Sequence, residues 1–119
     1  MTYYEKAQDI YNQLAQGKLM DAFEKYYGEN VTMVEADGRK REGKSANRAY
    51  EEQFLASIKD FHGMGIDAVT ADEENAVTTV ESWMDVTFQD GNRATLKQVA
   101  VQRWKGDFII EERFFNGAA

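Results

Sequence analysis

Residues 75–104 read NAVTTVESWMDVTFQDGNRATLKQVAVQRW. This stretch decides the fold. Apolar and polar residues alternate with period two, the signature of half-buried strands, and Asp90-Gly91 interrupts them as a turn. The even positions Val80, Ser82, Met84, Val86 and Phe88, then Leu96, Gln98, Ala100, Gln102 and Trp104, are mostly apolar. The odd positions mix Glu81, Trp83, Asp85 and Thr87 with Lys97, Val99, Val101 and Arg103. The even set is therefore expected to face a core, and the odd set solvent or a second subunit.

Register decides whether the two even sets share a face. A three-residue loop ending in a left-handed residue pairs even with even. A two-residue Asp90-Gly91 turn pairs even with odd and brings Glu81, Trp83 and Asp85 inside. Apolar segregation favours the first arrangement. In the last hairpin, around Gly106-Asp107, the same arrangement asks Asp107 to enter the left-handed region, which aspartate tolerates less well than glycine.

Outward from this hairpin, strands are predicted over roughly 60–72, 75–89, 93–104 and 108–115. The even rule adds His62, Met64, Ile66 and Ala68 to the inner face on one side, and Ile110, Glu112 and Phe114 on the other. It leaves Ile109 and Phe115 outside. Earlier in the chain the period is helical. Ala7, Ile10, Tyr11 and Leu14 form one stripe, closed by Gly17, and Leu19, Ala22, Phe23, Tyr26 and Tyr27 form a second, closed by Gly28. Val31 to Glu35 reads as a short strand, Asp37-Gly38 as a turn, and Lys40 to Glu42 as a strand stub. A third helix is predicted from Ser45, as N-cap, to Ile58, with Ala46, Tyr50, Phe54 and Ile58 every four residues. Helices first and antiparallel strands after give an α+β fold, with three helices packed on a strongly curved antiparallel sheet. Residues 1–119 are expected to form one domain.

Composition narrows the chemistry. The 119 residues contain no cysteine, no proline and one histidine, His62. Thiolate chemistry is thereby excluded, and no metal site or cofactor is expected. The net charge of −7 disfavours a nucleic-acid partner. No apolar run is long enough for a membrane helix, and a cytoplasmic protein is expected. The polar residues His62, Ser82, Gln98, Gln102 and Glu112 on an otherwise apolar face suggest a pocket or a hydrogen-bond network. The helices add Tyr11, Tyr26, Tyr27 and Tyr50. Glu112 and His62 are the candidates for proton transfer. A structural role competes for each: Glu112 could pair with Arg103 or Arg113. Ligand contacts are expected from Tyr11, Tyr50, Ser82, Met84, Gln98, Gln102 and Phe114. The Arg39-Lys40-Arg41 run reads as a solvated hairpin.

Phe61-His62-Gly63, Glu81-Ser82-Trp83-Met84-Asp85, the run from Gln98 to Trp104, and Glu112-Arg113-Phe114-Phe115 resemble the SnoaL-like group of the NTF2-like, cystatin-like cone superfamily. The element order carries the resemblance over nearly the whole chain. It implies a cone open at one end and a homodimer built through the outer sheet face. It implies no single activity, because the superfamily holds ketosteroid isomerases, polyketide cyclases, limonene-epoxide hydrolases and scytalone dehydratase beside binding modules. The inward aspartates of ketosteroid isomerases have no counterpart on the long central strands here. The Asp-Arg-Asp set of the epoxide hydrolases is also missing. Three readings follow: a binding protein for a small apolar molecule, a cofactor-independent isomerase, cyclase or dehydratase, and a non-catalytic association module.

Overall fold

A computed structural model describes residues 1–116. Helix α1 spans Tyr3–Ala15. It starts on a reciprocal capping box in which Thr2 Oγ1 accepts from the Glu5 amide and Glu5 accepts from the Thr2 amide. It ends in a Schellman motif: Lys18 N–H donates to the Gln13 carbonyl and Gly17 N–H to that of Leu14, with Gly17 at φ +77°. The glycine closes the helix as predicted.

Helix α2, Leu19–Tyr26, runs directly into strand β1, Tyr27–Val34. Gly28 is not its cap. Tyr27 already has extended geometry, and Gly28 lies within β1, where a Cβ would sit 3.2 Å from the Ile109 carbonyl oxygen. Strand β2 is Lys40–Glu42. Helix α3, Lys44–Ser57, is capped by Gly43 rather than Ser45. The buried Asn47 anchors it by donating to the carbonyls of Gly43, Arg41 and Val31 at 2.8, 3.1 and 3.3 Å. Ala46, expected inside, is exposed, and Asn47 takes its place on the inward face.

Four long strands follow: β3 Ile58–Asp72, β4 Val77–Phe88, β5 Arg93–Lys105 and β6 Phe108–Phe115. The sheet order is β2-β1-β6-β5-β4-β3. All pairs are antiparallel except β1 with β6, which corrects the wholly antiparallel expectation. Helix residues Ala7, Ile10, Tyr11, Ala22, Phe23 and Tyr26 pack into one core with Val31, Met33, Val80, Trp104 and Ile109. Burial of this apolar area is what holds helices and sheet together.

The β4–β5 hairpin has the three-residue loop, with Gly91 at φ +90°. Even residues pair with even from Thr78↔Gln102 through Ser82↔Gln98 to Val86↔Ala94. Glu81 and Asp85 therefore lie outside, where Asp85 forms a two-pronged ion pair with Arg93 at 2.9 and 3.1 Å. The β5–β6 hairpin is different. Its loop is two residues long, and Gly106, not Asp107, takes the positive φ (+60°). A bulge at Arg103/Trp104 then restores even pairing at Gln102↔Glu112. Ile109 is fully buried as a result and Ile110 is exposed, the reverse of the parity expectation.

Candidate functional site

Between the helices and the concave sheet lies a cavity of about 170 Å³. Helices α1 and α2 contribute Tyr11, Leu14, Leu19 and Phe23, and α3 contributes Tyr50, Glu51 and Phe54. The sheet contributes Tyr27, Ser82, Met84, Leu96, Gln98, Glu112 and Phe114, and Glu35 lies just past the end of β1. Of the expected ligand contacts, Tyr11, Tyr50, Ser82, Met84, Gln98 and Phe114 line this space. Gln102 does not. It is wholly buried behind Glu112.

Glu112 reaches the cavity through a chain of buried hydrogen bonds. Trp104 Nε1 donates to Thr78 Oγ1 at 2.9 Å, and Thr78 donates to Gln102 Oε1 at 2.7 Å. Gln102 Nε2 donates to Glu112 Oε2 at 2.8 Å, while the Tyr27 hydroxyl holds Oε1 at 2.7 Å. Every member is paired, as buried polar groups require. Glu112 is 2 % exposed, and burial pushes its carboxyl up to about 7, against the opposing hydrogen bonds from Tyr27 and Gln102. Burial also raises the Tyr27 hydroxyl well above its ordinary range.

Glu51 is a second carboxyl on this cavity that the sequence reading missed. Burial, reinforced by the negative charge of Glu112, brings it also to about 7. It makes no hydrogen bond among the described residues. The signal was present: Asn47, Tyr50, Glu51 and Phe54 are spaced i, i+3, i+4 and i+7, but two polar members hid the stripe from an apolar count. Glu35 lines the cavity too, with its charge matched by the Arg41 guanidinium. Arg41 also lies 3.4 Å from the centre of the Tyr50 ring.

His62 is elsewhere. Shifts in the β3–β4 register between Phe61 and Gly63, and again between Ile66 and Ala68, break the parity of β3. His62 is exposed, and its Nε2 lies 2.7 Å from the hydroxyl of Thr87, an outer-face residue. Of the two expected proton-transfer residues, only Glu112 shares the cavity. Ala68 is likewise exposed, and Val69 packs on the core instead. No cluster of three or more His, Cys, Asp or Glu side chains suited to a metal occurs among the described residues.

Three helices closing a bent six-stranded sheet over a cavity define an NTF2-like cone. The chain belongs to the SnoaL-like domain family, whose model matches residues 1–116. A candidate SnoaL-like polyketide cyclase from Mesorhizobium loti is 29 % identical, with a TM-score of 0.80 over 98 % of this chain and 100 % of that one. A candidate isomerase from Bacillus subtilis (16 % identity, TM-score 0.80, 97 % and 88 % covered) shares the fold. So does an uncharacterised cystatin-fold protein from Novosphingobium aromaticivorans (19 %, 0.77, 98 % and 99 %). No curated protein sequence matches the chain.

Proposed function

We propose that the cone binds a small, mainly apolar molecule carrying one polar group. The observation that carries this is the cavity itself, with apolar and aromatic walls and a few convergent polar side chains. Its size limits the ligand. An apolar cavity of about 150 Å³ accommodates benzene, so about 170 Å³ suits single-ring compounds. Ligand-observed NMR against a panel of single-ring alcohols, ketones and amines tests the reading. Saturable binding is expected, and it should be lost when Met84→Trp fills the cavity. Absence of saturable binding by every member would end the proposal.

A second reading is cofactor-independent proton transfer next to a carbonyl, in the manner of an isomerase, cyclase or dehydratase. The unpartnered Glu51 carboxyl favours it, since a base near neutrality facing an apolar space suits that step. Glu112, with Tyr27 on it, would complete the site. The check is deuterium exchange into the carbon beside the carbonyl of a bound ketone. Glu51→Gln should slow it by roughly 10²-fold or more.

The reading includes a homodimer through the outer sheet face. Trp83, Val99, Val101 and Phe115 remain there, and exposed Ile110 joins them in place of Ile109. Light scattering should give twice the chain mass of 13.6 kDa. A monomer would remove the dimer from the proposal. The protein is read as cytoplasmic, to be checked by cell fractionation; no helix among the described residues is long and apolar enough to cross a membrane.

A further inference from the structure

We propose that the ligand of the cone is a compact organic cation, an amine of about benzylamine size. Its ammonium would sit against Glu112 and Glu51, and its ring among the aromatic side chains. The proposal rests on the reading of the cavity as a small-molecule site and adds the charge of the molecule it takes.

The hydrogen bonds around Glu112 have a direction. An indole N–H only donates, so Thr78 Oγ1 must accept from Trp104. The one proton of that hydroxyl then points to Gln102 Oε1. This fixes the amide with its NH2 toward Glu112, where it can only donate. Successive donors thus end on Glu112 Oε2, and Tyr27 donates to the other oxygen. The arrangement serves a carboxylate as acceptor, although burial disfavours the charge.

The protein supplies no cation to match it. The ionisable carboxyl groups on the cavity wall are Glu35, Glu51 and Glu112, and no lysine or arginine lines the space. Arg41 is committed to Glu35 and to the face of Tyr50. Arg41 offsets the Glu51 charge only in part, against burial and Glu112, and no cation acts on Glu112. An ionised pair would repel an anionic ligand, and a cation between them would favour the ionised form that burial otherwise disfavours.

The rest of the wall suits the same ligand. Tyr11, Phe23, Tyr27, Tyr50, Phe54 and Phe114 surround the space, and aromatic faces attract cations most strongly where water is excluded. The Arg41 guanidinium on Tyr50 is an instance of that contact at this wall. A second, apolar cavity of about 120 Å³ lies on the other side of Leu14, Leu19, Phe54 and Met84, which line both spaces.

Titration calorimetry with benzylamine, benzyl alcohol and benzoate at pH 7.5 tests this. These probes share a ring and differ in charge. Benzylamine is expected to bind one to one, at least about tenfold more tightly than the alcohol, a difference of about 1.4 kcal/mol. Benzoate should not bind. In Glu51→Gln the amine-to-alcohol ratio should collapse toward one. Equal affinity of amine and alcohol in the unmodified protein would overturn the cation and leave the cavity reading standing. Retention of the full ratio in Glu51→Gln would also overturn the role given to the carboxyl pair. If none of the three binds, the cavity reading falls as well.

Discussion

Strand β4 has a neighbour on each side, and the two sides keep register differently. Against β5 it runs through eleven consecutive pairs, from Val77↔Arg103 to Thr87↔Arg93, without a shift. Against β3 the register slips three times. The difference follows from position. β5 is interior and its register is set once, by the Gln89-Asp90-Gly91 loop. β3 is a sheet edge, where bulges bend the strand and discourage pairing with other chains. A parity rule read from sequence therefore holds on β4 and β5 and fails on β3. Ser82, Met84 and Gln98 reach the cavity, and His62 does not.

The sharpest way to break this contrast is deletion. Asp67 is the extra residue between the pairs Ile66↔Ser82 and Ala68↔Glu81. Its removal leaves those pairs intact and should lower stability by no more than about 1–2 kcal/mol. Deletion of Val99 turns one half of β5 over, carrying Gln98 or Gln102 to the wrong face. No cooperative thermal transition is expected for that variant. Similar circular-dichroism melts for the two deletions would show that register is not what separates the strands.

Next in size is the buried network that the interior register assembles. Gln102→Leu leaves Glu112 without one donor and Thr78 without its acceptor, both buried. A loss of about 3 kcal/mol is expected in urea unfolding, the size typical of breaking a buried charged network. Glu112→Gln keeps the shape and should lose less. If Gln102→Leu were neutral, the network would not hold the inner face together.

A smaller effect tests the carboxyls themselves. Glu51 and Glu112 both sit near 7, raised from the ordinary 4.5. Between these values the folded chain binds more protons than the unfolded one. Their contribution is thus complete below about 4.5 and is lost as pH rises through 7. The melting temperature should fall between pH 5 and pH 8, by an amount on the order of 1–3 kcal/mol in stability. The double variant Glu51→Gln, Glu112→Gln should flatten that slope. A slope of the same sign and size in the double variant would assign it to other groups.

The same contrast explains what was legible. Period-two alternation in β4 and β5 exposed the core sheet, its inner face and most of the cavity wall, because this pair keeps one register throughout. Asp90-Gly91 marked the turn, and apolar segregation chose the three-residue loop that sets the register. Three features were opaque. The bulge that puts both Ile109 and Glu112 inside lies beyond the turn, and no residue type marks it. The parallel contact of β1 with β6 joins residues about eighty positions apart, beyond local patterning. Glu51 looked like one more charge on an exposed helix, because α3 turns a partly polar stripe toward the cavity.

The smallest expected effect is at His62, which its even position and its being the chain's one histidine singled out. Its side chain is exposed on the outer face, with one hydrogen-bonding contact to Thr87. Exposed hydrogen bonds compete with water and contribute little, and surface substitutions of this kind usually fall within about 0.5 kcal/mol. His62→Ala should therefore leave both stability and ligand affinity near those of the unmodified chain. The bulge next to it makes this a pointed test. If the strand slipped by one residue in solution, His62 would enter the cone, and its removal would change ligand affinity strongly. An unchanged affinity would instead confirm that the edge strand keeps its irregular register, and that the cavity works through Glu112 and Glu51 without the chain's one imidazole.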